Sequence, residues 1–130
     1  MVIDSSALLA IVLDEPERDT FLDRIEAASR RLVSAATLME TAIVVTNRRG
    51  EVAVSRLRDF LVRAEIEIAA VDARHAEAAI DAFRRFGKGR HAAGLNFGDC
   101  FAYALAKATG EPLLYKGDDF GHTDIRSALE

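Results

Sequence analysis

The first thirteen residues, Met1-Val2-Ile3-Asp4-Ser5-Ser6-Ala7-Leu8-Leu9-Ala10-Ile11-Val12-Leu13, constrain the fold more than any other stretch of the chain. They carry one charge, Asp4. Met1 to Asp4 reads as a short buried strand, and Ser5 to Leu13 as the helix that follows. A strand whose C-terminal end runs straight into a helix start is the place where open α/β sheets bind their ligands. Asp4 falls at that junction. It can also serve as the helix N-cap, with its carboxylate accepting from the first free N–H groups.

The same pattern occurs twice more. From Leu32 to Asn47 the only charge is Glu40, and from Ala92 to Ala106 the only charge is Asp99. The chain is 29% charged, so an ordinary window of this length holds roughly four charges. A lone carboxylate in an apolar segment is costly to bury unless something compensates it. Three such segments point to three acids delivered to one place.

The intervening sequence supplies the frame. Leu13-Asp14-Glu15-Pro16-Glu17 reads as a helix start, capped by Asp14 and running to about Ala28 with Phe21, Leu22 and Ile25 inward. Strands are expected at Arg31–Ser34, Glu67–Val71 and Pro112–Tyr115, with a last edge strand at Thr123–Ile125. Helices are expected over Thr37–Arg49 (ended by Gly50), Val52–Ala64, Ala73–Phe86 (capped by Asp72) and Gly98–Thr109. In the Ala73–Phe86 helix, Ala76, Ala79, Ile80 and Phe83 share one face. Gly87 to Leu95 is a loop with three glycines. Strands alternating with helices give an α/β fold, a mostly parallel four- to five-stranded sheet between two helical layers. At 130 residues the chain is one domain, residues 1–130.

Composition limits the function classes. The net charge is −4, so any attraction to a polyanion must be local. The single cysteine, Cys100, allows no intrachain disulfide and reads as a small buried residue in a reducing compartment. No apolar run reaches the roughly 18 residues of a membrane span, and no secretion signal is evident, so a cytoplasmic location is expected.

Each acid also has a structural reading. Thr37-Leu38-Met39-Glu40 has the form of a capping box, and Asp99 lies three residues after Asn96, another good cap. Asp118 and Asp119 lie in a Gly-bounded turn. All of them fall at a strand end or helix start on one rim of a parallel sheet. Two carboxylates about 4 Å apart repel by about 4 kcal/mol at an effective dielectric near 20. A divalent cation removes that cost. Oxygen ligands without His or Cys favour Mg²⁺ or Mn²⁺, and the matching chemistry is in-line attack of a metal-activated water on a phosphodiester. Just upstream, Arg84, Arg85, Lys88, Arg90 and His91 occur in a stretch with no acid. Lys88, Arg90 and His91 read as phosphate contacts, and Arg84 and Arg85 as a solvated helix end.

The segments Val2-Ile3-Asp4-Ser5-Ser6-Ala7-Leu8, Thr37-Leu38-Met39-Glu40, Gly98-Asp99-Cys100-Phe101-Ala102-Tyr103-Ala104-Leu105-Ala106 and Leu113-Leu114-Tyr115-Lys116-Gly117-Asp118-Asp119-Phe120, in that order, resemble a PIN-domain ribonuclease, specifically a VapC-type toxin of a toxin–antitoxin pair. The resemblance implies a Mg²⁺- or Mn²⁺-dependent endoribonuclease that cuts RNA, often tRNA or rRNA, and blocks translation. It implies metal bound chiefly by Asp4 and Asp99, with Glu40 in direct or indirect contact and Ser6 orienting the Asp4 carboxylate. It further implies a homodimer and a cognate VapB-type antitoxin that assembles with it into a larger complex. Many relatives have a fourth acid three residues before the Phe, where this chain has Gly117; Asp119, or else Asp118, would take that role. Two other readings compete. One is a non-catalytic PIN-like binding module, which the intact set of acids argues against. The other is a phosphorylated receiver, which would need an acidic pair after the first strand where only Asp4 stands.

Overall fold

The computed structural model describes residues 1–130. Its sheet has four parallel strands, β1 (Val2–Ile3), β2 (Leu32–Ser34), β3 (Glu67–Ala69) and β4 (Leu113–Leu114), in the order β3-β2-β1-β4. Val2 pairs with both Leu32 and Leu113, and Ile3 with Leu114. Successive side chains of a strand face opposite sides. Val2, Leu32 and Leu113 therefore enter one apolar cluster, and Ile3, Val33 and Leu114 the other. The first cluster is closed by α5 (Ala73–Phe86) and α6 (Phe97–Thr109), and the second by α1 (Ser5–Val12), α2 (Arg18–Ala27) and α4 (Glu51–Arg63). α3 (Ala35–Arg49) packs against α1, α4 and α6 and so joins the two layers at one end of the sheet. The three-layer α/β/α arrangement is the one the sequence pattern predicts. No helix is long and apolar enough to cross a membrane.

Several local expectations are corrected. Asp14 does not cap α2. It sits at φ 60°, and Glu15 N–H donates back to the Ala10 carbonyl at 2.8 Å, so the residues that looked like a helix start instead close α1. α2 begins at Arg18, with Glu17 at the cap position and no side-chain cap bond. α3 starts two residues earlier than expected, capped by the Ser34 hydroxyl.

Thr123–Ile125 forms no strand. Thr123 N–H donates to the Phe120 carbonyl and Ile125 N–H to the Thr123 hydroxyl, while Tyr103 and Lys107 hold the Asp124 carboxylate. Backbone donors spent locally cannot join a ladder, and the chain touches the sheet only at Ser127, opposite Leu113. In α5, Ala79 is buried but Ile80 and Phe83 are 62% and 42% exposed. The stripe keeps to one face and lines an open apolar groove with Phe97, Cys100 and Phe101.

Candidate active site

Asp4 is fixed on every side. Its N–H donates to the Leu114 carbonyl, and its own carbonyl accepts from Ala7 and Leu8 as α1 begins. Its Oδ2 accepts from Ser6 N–H at 3.0 Å and from the Ser6 hydroxyl at 2.6 Å. The residue is only 2% exposed, yet Oδ1 is buried with no hydrogen-bond partner. Burial pushes its carboxyl above the usual carboxylate range; the Ser6 bonds oppose that rise and the charge of Glu40 adds to it. Asp4 thus caps a helix and also keeps one oxygen free. The cap leaves that oxygen available, so capping does not exclude a site role.

Because α3 is capped at Ser34, Glu40 lies well inside the helix, and the capping box with Thr37 does not form. Its carboxylate lies against Gly98 at the start of α6. A Cβ at Gly98 would fall inside the van der Waals shell of the Glu40 carboxyl group, so a larger residue there would require the Glu40 side chain to shift. Glu40 Oε1 is buried without a partner, as is Thr37 Oγ1 one turn earlier. An unmatched buried carboxylate oxygen costs on the order of a few kcal/mol.

Asp99 does form a capping box: its N–H donates to Asn96 Oδ1 at 2.9 Å, and its Oδ2 accepts from Asn96 N–H at 3.0 Å. Burial pushes its carboxyl up to about 6; the Asn96 N–H opposes this, and Asp4, Glu40 and Asp119 all repel it. Four acids from four parts of the chain therefore share one electrostatic neighbourhood. Asp119 belongs to it from the 3₁₀ turn Asp119–His122, whose buried Phe120 packs on Tyr115 at 5.2 Å between ring centres. Asp118 and Asp119 are both exposed, and of the two it is Asp119 whose charge acts on Asp99.

The donor set is entirely oxygen, and two of its buried oxygens lack a partner. No three His, Cys, Asp or Glu side chains are drawn into a ready-made metal cage. An all-oxygen donor set suits a small hard cation, which keeps several waters and takes one or two carboxylates beside substrate phosphate. It would not suit a closed structural zinc site. The residues fit Mg²⁺ or Mn²⁺.

The basic segment splits into paired, locally bonded and exposed side chains, with Arg90 Nε donating to the Arg84 carbonyl at 3.3 Å. Arg84 pairs with Asp81, and Arg85 with Asp81 and Asp124. Lys88 and Arg90 are exposed on a loop closed by the Gly87–Leu95 bridge, which leads directly into Asn96 and α6. His91 is engaged locally, since its Nδ1 accepts from Ala93 N–H and its ring meets Phe86 edge-on. The Cys100 thiol is buried, and burial followed by Asp99 pushes it up to about 11, which makes it no nucleophile. Sequence reasoning did not single out Gly98. Its signal was present: glycine inside a helix's first turn costs about 1 kcal/mol against alanine, so a reason for it was owed.

The sequence profile of the PIN domain matches residues 1–126. "VapC ribonuclease Mb0640" of Mycobacterium bovis is 53% identical over 125 residues, covering 96% of this chain and 95% of that protein. "Ribonuclease VapC" of Mycolicibacterium smegmatis is 51% identical, covering 96% and 97%. Among solved structures, the Mycobacterium tuberculosis VapC20 toxin, described as cleaving the sarcin–ricin loop, superposes with a TM-score of 0.78 at 17% identity, covering 95% of each chain. A toxin–antitoxin complex from Klebsiella pneumoniae gives 0.72 at 17%, covering 95% and 92%.

Proposed function

The chain belongs to the PIN-domain family, among the VapC ribonucleases, and on that footing we propose that it is a Mg²⁺- or Mn²⁺-dependent endoribonuclease toxin. The observation that carries the reading is the pair of buried, partnerless oxygens, Asp4 Oδ1 and Glu40 Oε1, on the rim that Asp99 and Asp119 also charge. A fold gains nothing from leaving such atoms unmatched. A cation at the rim would satisfy both.

Asp4 and Asp99 would hold the ion, and Glu40 would complete or orient its shell. The bound ion would supply charge neutralisation at the phosphate and a water acidic enough to attack it. The chain's own residues do the rest. Ser6 saturates Asp4 Oδ2, so that Oδ1 is the oxygen presented. Asp119 faces the cluster from the β4 side and is the fourth acid in preference to Asp118. Lys88 and Arg90 bind backbone phosphates of the RNA, which brings a polyanion to one edge of an otherwise acidic protein.

Translation is the process such cleavage would stop, in the cytoplasm, with tRNA or rRNA as the substrate class. The VapC names of the relatives and the neighbouring toxin–antitoxin complex support a VapB-type antitoxin as partner. A homodimer, assembling further with antitoxin, completes the proposal. The direct test incubates the purified protein with total cellular RNA, with Mg²⁺ or Mn²⁺ and then with EDTA, and sequences the new ends. Discrete, metal-dependent ends are expected. Intact RNA under both metals would leave the binding-module alternative standing.

A further inference from the structure

We propose that Lys116 is a positioning residue for Asp4, a role whose catalytic consequence rests on the ribonuclease reading above. Lys116 follows β4 by two residues and is tied at both ends. Its backbone N–H donates to Ser6 Oγ at 2.9 Å. Its ammonium meets Glu15 Oε2 at 2.6 Å and Glu17 Oε2 at 3.1 Å. The two acids lie in the turn between α1 and α2, at the far end of the helix that Asp4 caps.

The hydrogen-bond direction follows from proton counting. A serine hydroxyl has one proton. The Lys116 amide can only donate, so it takes a lone pair of Ser6 Oγ. The Ser6 proton is then left for Asp4 Oδ2, at 2.6 Å, where Ser6 N–H also donates. Two donors on Oδ2 and none on Oδ1 fix the carboxylate's rotation about its bond to Cβ. If the Lys116 amide withdrew, the hydroxyl would be free to rotate, and Asp4 would lose the group that holds its proton donor in place.

The same residue sets the start of the loop to Asp119. Gly117, at φ 95°, turns the chain immediately after Lys116. A shift at Lys116 therefore moves the support of one acid and the mounting of another. Exposed ion pairs contribute little to stability. The Glu15–Lys116–Glu17 clamp is thus expected to show in catalysis and local dynamics more than in melting temperature. Lys116 is no free phosphate contact, because two carboxylates already occupy its ammonium.

The test compares Lys116→Met, Lys116→Arg and the double variant Glu15→Gln/Glu17→Gln with the parent full-length chain. Three readouts are used: steady-state kinetics on an RNA that the parent cleaves, Mn²⁺ binding by calorimetry, and amide hydrogen exchange at residue 116. Positioning predicts that Lys116→Met and the double variant each lower kcat about tenfold with KM nearly unchanged. Both should weaken Mn²⁺ binding several-fold and speed exchange at residue 116. Lys116→Arg should recover most of each loss.

A phosphate contact predicts the opposite pattern, in which Lys116→Met raises KM alone and the double variant, by freeing the ammonium, lowers KM. That result overturns the proposal, as do parent-like kcat and exchange in both variants. If the parent itself cuts no RNA, the ribonuclease reading fails, and Mn²⁺ binding and exchange still decide the role of Lys116. Faster exchange and weaker Mn²⁺ binding in both variants would uphold it, and unchanged values would overturn it.

Discussion

The two ends of the sheet treat charge in opposite ways. At the N-terminal end, cations meet acceptors: the Met1 amine meets the Glu111 carboxylate and the Arg30 carbonyl, and Arg31 donates to the Ala64 and Glu26 carbonyls at 2.8 and 2.9 Å, with only its Nε left unmatched. At the C-terminal end, like charges gather. Asp4 Oδ1 and Glu40 Oε1 are buried and unmatched, and Asp99 is repelled by three other acids. One end is built for stability. The other carries a cost that a cation would remove, and the contrast supports the proposed placing of the site there.

Removing an acid challenges this contrast most severely. Asp4→Asn and Asp99→Asn should each lower kcat by more than about 100-fold, since each deletes a proposed ligand of the ion. The metal-free fold should survive, because Asn can still accept at both caps. Circular dichroism and RNA-cleavage rates check the two halves together. Next, Gly98→Ala should displace Glu40 and cost about 10- to 100-fold in kcat with little change in secondary structure, as misplacement near a reacting centre does.

These residues show how much was legible. Asp4, Glu40 and Asp99 stood out because each is the only charge in an apolar window, and strand and helix order placed them on one rim. Asp119 could not be separated from Asp118 by sequence, because the distinction depends on how the turn beside Phe120 folds. Lys116 was invisible for a different reason. Its partners lie far away in sequence, before α2, and nothing in a Lys-Gly-Asp-Asp turn announces them. The α5 stripe shares one face as its periodicity indicates, but periodicity does not report what covers that face. The strand expected at Thr123–Ile125 failed to form because side chains of α6 took Asp124 and local turns took the backbone donors.

A smaller effect separates the two ends through pH. Asp99 titrates at about 6 in the folded chain against an ordinary 3.8. Between those values the folded state binds more protons than the unfolded state, so stability falls as pH rises, and above about 6 the full penalty is present. Asp99→Asn lacks that penalty. In EDTA, its stability relative to the parent should therefore improve between pH 4 and pH 7, by about 2 kcal/mol after allowance for solvent screening. Urea melts at the two pH values measure it, and a constant difference would mean that Asp99 carries no electrostatic strain.

The smallest effect belongs to the other end of the sheet. Arg31→Ala should cost about 1–2 kcal/mol of stability through its lost bonds to two carbonyls. It should leave kcat at the parent level, because Arg31 lies away from the acids. A stability loss with a matching collapse in cleavage would erase the division between the two ends.

Whether the acidic rim is a cation site is decided by calorimetric titration of Mn²⁺ into the metal-free protein. Saturable binding is expected in the parent, abolished by Asp4→Asn and by Asp99→Asn and retained in Arg31→Ala. Binding of equal strength in the parent and both acid variants, or none in the parent, would contradict it.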